Sequence, residues 1–307
     1  MERSRLPPLG LMLLALVAVG WGFAWPVIKI VLAEVPPLTY RGVCLVVGGA
    51  GVLGLARATG QSLHVPARFW GRLLAISACS IVGWNVLLVY GIALLSSGRA
   101  ALLGYTMPLW STALSIWLLG ERLTARRGAA LLLGMTGVVV LLGGDLLRMA
   151  SAASGVALML TAAMSWGLGV VLLKRFALPI GTGALTGWMM VVGGAPISVA
   201  AVVLEHARWR PVSTTVALGL VYSVVVAFMF CYWAWNRIVL MLPVTVSSVS
   251  ALATPVIGVA SGMWVLGEPL TWHEAAAGAC ILGAIALVLL SRASAAGPAR
   301  RAQRGEA

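Results

Sequence analysis

The chain has 307 residues, of which 61% are hydrophobic and 9% charged, with a mean hydropathy of +1.02. A soluble domain is about 25% charged, so this chain lacks the polar surface to face water on every side; a soluble enzyme, a multidomain receptor and a single-span anchored protein are excluded. The formal net charge of +13, from 21 Lys and Arg against 8 Asp and Glu, is scattered between apolar runs with no compact basic domain, which argues against nucleic acid as partner and for the lipid bilayer.

A bilayer core of about 30 Å takes roughly 20 apolar residues per helical span. Hydropathy breaks predict spans near 9–33, 38–56, 73–95, 99–119, 127–144, 154–173, 183–204, 215–236, 243–266 and 273–291. The first follows Arg3 and Arg5 and could pass for a secretory signal, but its apolar run continues through WGFAWPVIKIVLA, too long for one. With the N-terminus inside, Lys29, Arg41, Arg99, Arg148, Arg208 and Arg210 fall on the outer side and the remaining Lys and Arg on the inner. That bias predicts a multi-pass protein of the cell (inner) membrane with an even number of spans and both termini cytoplasmic. Residues 1–8 and 292–307 are then cytoplasmic tails, the second basic enough to rest on anionic lipid. Cys44, Cys79, Cys231 and Cys280 each lie in an apolar run, with no CxxC pair and no His/Cys cluster, so neither a disulfide, a metal nor any cofactor is expected.

The two halves of the chain resemble each other. Trp21-Gly22 and Lys29 of the first span recur as Trp166-Gly167 and Lys174 of the sixth, with the same spacing. PLWSTALSIWLLGERLT, from Pro108 to Thr124, recurs as PVIGVASGMWVLGEPLT, from Pro255 to Thr271. Matched Pro, Trp, Gly, Glu and Thr in one register are not the product of a biased composition. Five spans is an odd number, so the second half must enter the membrane with reversed polarity. The expected fold class is therefore an all-α polytopic membrane protein of ten transmembrane helices, built as two inverted five-helix repeats, 9–144 and 154–291, joined by a loop at 145–153. Inverted repeats are a recurring plan of secondary transporters, with the substrate held near midplane between the halves.

Several side chains in these repeats carry candidate roles. In the two GE corners, Gly permits a tight helix end and Thr caps the next helix; Thr271 and Glu274 have capping-box spacing, whereas Thr124 has no Glu three residues on. Pro108 and Pro255 are repeat-related, and each removes a backbone donor inside a span, so they are candidate hinges, with Glu121 and Glu268 beside them as candidate gating groups. Each of these four also has a plain structural reading, a kink or a corner. Asn85 is costly to leave unpaired at membrane depth, while the Ser and Thr at such depths often bond their own helix backbone. Trp70, Trp209 and Trp272 fall at predicted interfaces as belt anchors.

The motifs WGFAWPVIK, Arg41 at the start of the second span, the two PLW…GERLT and PVI…GEPLT segments, and GVVVLLGGD at the end of the fifth resemble the EamA-type transporters of the drug/metabolite transporter superfamily, over about residues 9–291. Pro269, where the first copy has Arg122, is a departure and suggests that the motif mainly builds a corner. The resemblance implies a cavity among the first, third, fourth, sixth, eighth and ninth helices. Trp21, Trp25, Asn85, Tyr105, Trp166 and Tyr232 are then the expected substrate-binding residues, an apolar pocket with a few polar groups that suits an organic solute. No Asp or Glu is central to a span, which argues against a central proton-carrying carboxylate and against lipophilic cations as cargo. Lys29 and Lys174 could attract a substrate carboxylate, but their places near helix ends favour snorkelling.

The expected function is export of small metabolites, such as amino acids or related compounds, by alternating access. The alternatives are a multidrug exporter of the same fold and a membrane-embedded transferase. The second is disfavoured because His64, His206 and His273 are isolated and Asp145 is the only Asp, so no catalytic cluster is in view. The expected partners are a small-molecule substrate and the bilayer, for a monomer or a weak homodimer.

Overall fold

The computed structural model describes residues 8–120, 125–141, 150–176, 178–235, 244–284 and 286–287. Among the described residues all regular structure is helical. The helices are α1 (Pro8–Leu32), α2 (Pro37–Ala58), α3 (Ala67–Ala93), α4 (Ser97–Gly104), α5 (Met107–Leu119), α6 (Ala125–Leu141), α7 (Ala150–Phe176), α8 (Thr182–Glu205), α9 (Thr214–Trp235), α10 (Val244–Leu266) and α11 (272–284). Met12–Leu32, Pro37–Ala58, Ala67–Ala93, Ala153–Leu173, Thr182–Arg208 and Thr214–Trp235 are each long and apolar enough to cross a bilayer, and they make the chain a multi-pass membrane protein. Helices are what such a sequence must form, because they satisfy every backbone donor and acceptor inside the segment. Ser and Thr follow the same rule: Thr136, Thr161 and Thr186 donate to carbonyls four residues back in their own helices.

The bundle is organised around close helix pairs. α2 lies along α8, α1 along α10, and both α3 and α5 pack on α7, while α9 closes against α2. Between α2 and α8 the approach depends on small residues. A Cβ on Gly42 would fall 2.6 Å from Ser198 Oγ, one on Gly49 2.9 Å from Met190 Cβ, and one on Gly187 2.6 Å from Leu53 Cγ. Rising positions on α2 meet falling positions on α8, so the two run antiparallel. In lipid there is little hydrophobic drive between helices, and backbone proximity of this kind supplies the packing instead.

Three departures from plain α-helix shape the interior. α3 carries a π-helical stretch at Ala78–Gly83 and α9 another at Ser223–Phe230. A π turn is wider than an α turn and shifts carbonyls out of the regular ladder. Ser165 Oγ donates to one of these carbonyls, Cys79 O, at 2.9 Å, and Trp21 Nε1 to another, Ala227 O, also at 2.9 Å. The third departure divides the expected 99–119 span into α4 and α5 at Tyr105–Thr106. Pro108 follows as the second residue of α5; it offers no N–H to the carbonyl of Gly104, and the helix parts there. α10, by contrast, runs through Pro255 without interruption.

The two GE corners share a left-handed glycine, Gly120 at φ 67° and Gly267 at φ 64°. At the second corner Gly267 N–H donates to Met263 O at 3.1 Å, the αL cap that ends α10. Thr271 and Glu274 form the expected reciprocal box: Thr271 N–H donates to Glu274 Oε2 at 2.9 Å, and Glu274 N–H to Thr271 Oγ1 at 3.3 Å. Glu121, Asn236, residues 1–7 and residues 292–307 lie outside the described residues, as do the side chains of Pro108, Pro255 and Lys174.

Candidate functional site

Near the middle of α1, the helices part around a cavity of about 90 Å³. α1 contributes Trp21, Ala24, Trp25 and Ile28; α3 contributes Trp84, Asn85 and Leu88; Tyr105 and Met107 come from the α4–α5 break. Trp166 enters from α7, and Ala227, Phe228 and Tyr232 from α9. All six substrate-binding candidates, Trp21, Trp25, Asn85, Tyr105, Trp166 and Tyr232, therefore meet at one cavity wall. The irregular backbone explains why the space is there: the wall includes residues beside both π segments and at the helix break.

The aromatic rings hold each other in place. Trp21 and Tyr232 meet edge to face at 5.6 Å and Trp166 and Tyr232 at 6.3 Å, Trp84 and Trp166 are tilted against each other at 5.3 Å, and Phe228 stacks on Tyr232 at 5.6 Å. Edge-to-face and offset rings are the favoured arrangements, so the cavity has a shaped wall and not a loose one. A smaller cavity of about 40 Å³ shares Trp21, Tyr105, Met107 and Trp166 with the first and adds Val17, Trp235 and Thr254. Along α1 the order is Val17, Trp21, Trp25, Ile28. The two cavities thus follow one another along the bundle, with the side chains they share, Trp21, Tyr105, Met107 and Trp166, between them.

Polar groups in the main cavity are few. Asn85, 1% exposed, donates from Nδ2 to Ile81 O at 2.9 Å, and its Oδ1 is buried without a partner. A carbonyl only accepts, so this bond fixes the orientation of the amide. Tyr40 shares a hydrogen bond with Ser223 at 2.8 Å. Beside it stands Arg41, which by sequence opens a span on the outer side. It is 4% exposed, lines the cavity, and leaves Nε and Nη2 without partners. α2 therefore belongs to the site, although it was not among the expected cavity helices. Its signal in the sequence was an arginine inside an apolar run, which reads equally well as an interfacial anchor.

Beyond the Ile28 end of the cavity, polar side chains tie three segments together. Glu268 accepts from Ser97 N–H at 2.8 Å, Ser97 Oγ at 2.6 Å and Gly98 N–H at 3.3 Å, which caps α4, and Lys29 Nζ lies 3.6 Å away. Burial pushes the Glu268 carboxyl up, but the Ser97 and Gly98 hydrogen bonds and the Lys29 charge outweigh it and hold it below the usual carboxylate range. Arg99 Nε donates to Glu274 Oε1 at 2.7 Å alongside. Lys29 is thus engaged at this corner.

The chain has recognisable relatives. A solved crystal structure superimposes with a TM-score of 0.66 at 22% identity, covering 91% of this chain and 97% of the other, which shows the fold is shared. The "probable amino-acid metabolite efflux pump" of Salmonella typhimurium is 28% identical, over 88% of this chain and 91% of that protein. Its namesake in Escherichia coli is 27% identical over 83% and 86%. The transporter YoaV of Bacillus subtilis is 23% identical over 82% and 86%. The model of the EamA-like transporter family matches twice, at residues 8–143 and 153–290. Taken with the helical membrane fold and its central aromatic cavity, this double match means that the chain belongs to the EamA-like transporter family.

Proposed function

We propose that the protein is an inner-membrane secondary transporter that exports small metabolites, amino acids or related compounds, by alternating access. The observation that carries this reading is the pair of cavities in line along the bundle, which share Trp21, Tyr105, Met107 and Trp166 between them. A solute held on one side of these side chains reaches the other when the rings move, without a continuous open pore. Two relatives named as amino-acid metabolite efflux pumps support the solute class. Among the described residues the cavity has no carboxylate in its wall, and it has a buried guanidinium, so a cationic drug is the poorer fit.

The architecture belonging to this reading is ten spans in two inverted repeats, 9–144 and 154–291. Support comes from paired irregularities: the π segments begin at Ala78 and Ser223, the same offset that separates Trp21 from Trp166. The left-handed Gly120 and Gly267 are offset as Pro108 and Pro255 are. Trp117 and Trp264, equivalent in the repeats, are both 79% exposed, as lipid-facing anchors at opposite membrane faces would be.

The test is reconstitution in liposomes with labelled amino acids, organic cations and sugars, with and without a pH gradient. Amino-acid flux is expected; flux of cations alone would favour drug export, and no flux of any class would overturn transport. Orientation is tested separately in cells. A cysteine at Ala299 is expected to resist an external impermeant thiol reagent, and one at Ser151 to react; the reverse pattern would invert the topology.

A further inference from the structure

Arg41 is a charge with no visible counter-charge. A guanidinium does not lose its proton in a protein, and burying it unpaired is strongly unfavourable. Among the described residues no ion pair includes it, and the carboxylates there are committed elsewhere. Glu205 caps α2 through Leu38 N–H, Thr39 N–H and Thr39 Oγ1; Glu34 holds Ser213 N–H; Glu268 and Glu274 hold the corner at Ser97 and Arg99.

Two rings partly compensate. The guanidinium carbon lies 4.9 Å from the centre of the Tyr40 ring and 5.8 Å from that of Phe228. Rings interact with the face of a guanidinium, whereas its hydrogen bonds run from the edge. The unpartnered atoms, Nε and Nη2, form one edge, and their two parallel N–H vectors match the two oxygens of a carboxylate. The same cavity also holds Asn85, beside Tyr232, whose Oδ1 is buried without a hydrogen-bond partner of its own.

We propose that the Nε–Nη2 edge of Arg41 binds the carboxylate of the transported solute and that Asn85 Oδ1 accepts from its ammonium group, so that the site recognises a zwitterionic amino-acid head. This rests on the transporter reading and sharpens its substrate class. A cavity of about 90 Å³ holds several waters and so has room for the head group; a bulky side chain enters as the rings turn. Recognition by Arg41 also accounts for the lack of a counter-ion among the described residues: the solute brings it.

The test is thermal-shift titration of the purified full-length protein with the twenty common L-amino acids, their C-terminal amides and the matching acids lacking the amine. One or more amino acids are expected to stabilise the protein, and their amides to fail at the same concentrations. Arg41→Gln is expected to weaken that binding roughly 10- to 100-fold, the weight of a hydrogen-bonded charge pair, yet to melt at or above the wild-type temperature without ligand, since an unpaired charge has been removed. Arg41→Lys keeps the charge and loses the fork, so weaker binding is expected even if the Gln variant does not fold. Asn85→Ala is expected to erase the preference for an amino acid over its deaminated counterpart.

Equal binding of amides and acids, or binding unchanged in both Arg41 variants, would overturn the proposal. A ligand-free Arg41→Gln protein that melts lower but keeps its affinity would show a structural arginine instead. If no carboxylate binds, the proposal also fails. Deaminated acids binding where amino acids do not would refute the Asn85 half and the amino-acid reading while leaving the Arg41 half standing. Carboxylates that bind but are not moved across liposomes would refute transport alone.

Discussion

Trp166→Ala is expected to cut reconstituted flux at least about tenfold while leaving a folded, monodisperse protein. The indole packs against Trp84 at 5.3 Å and Tyr232 at 6.3 Å and stands in the wall of both cavities. Each ring pair is worth about 0.5–1.5 kcal/mol beyond the area it buries, so losing two leaves Trp84 and Tyr232 less firmly held in the wall that meets the solute. The second effect is geometric. Without the indole the two cavities merge, and the partition that alternating access needs is no longer complete. Removing a Trp from a close-packed core costs about 3–5 kcal/mol, but Trp166 is half-buried beside empty space, so the stability loss is expected to fall below that range. Trp166→Phe keeps a ring in the gap and is expected to recover most of the flux. Liposome flux beside size-exclusion and circular dichroism separates the outcomes, and a folded Ala variant with full flux would remove Trp166 from the site.

The aromatic half of the site was legible before the fold because deep Trp and Tyr are rare enough to stand out of an apolar chain, and the repeat singled out Trp21 and Trp166. Their meeting at one cavity needed three-dimensional information: Trp21 and Tyr232 touch across most of the chain's length. The place of Arg41 in the cavity wall was not legible for a physical reason. An arginine one turn inside a span usually snorkels to the interface, and only the packing of Tyr40 and Phe228 around it shows that this one does not. Lys29 and Glu268 were each read alone, the first as snorkelling and the second as a gating group, and neither reading contained their 3.6 Å approach. The break at Tyr105–Thr106 was signalled by Pro108 but only as a bend, since hydropathy does not distinguish a kinked span from two short helices. The π segments leave no composition signature at all; their equal spacing in the two halves is visible only in the backbone.

Glu268→Gln is expected to loosen the Ile28 end of the main cavity, raising the labelling rate of a cysteine at Ile28 by a membrane-impermeant reagent about tenfold and lowering the melting temperature. The carboxylate accepts on both oxygens, Oε1 from Ser97 N–H and Oε2 from Ser97 Oγ and Gly98 N–H, with Lys29 near Oε1. An amide in either orientation sets its NH2 against a backbone N–H. At least one of these hydrogen bonds must break, and each is worth about 1.5–3 kcal/mol when the acceptor is charged. The sign of the pH dependence follows from the same contacts. With the folded carboxyl held below its ordinary 4.5, the latch contributes fully above that value and is lost only as pH falls through the lowered one. A group that passes protons near neutrality needs its affinity raised toward about pH 7, and here capping and Lys29 draw it the other way. Transport between about pH 5.5 and 8 is therefore expected to have the same pH profile in wild type and Glu268→Gln. A profile that flattens in the variant would make Glu268 the proton carrier, and unchanged labelling at Ile28 would show that this corner does not close the cavity.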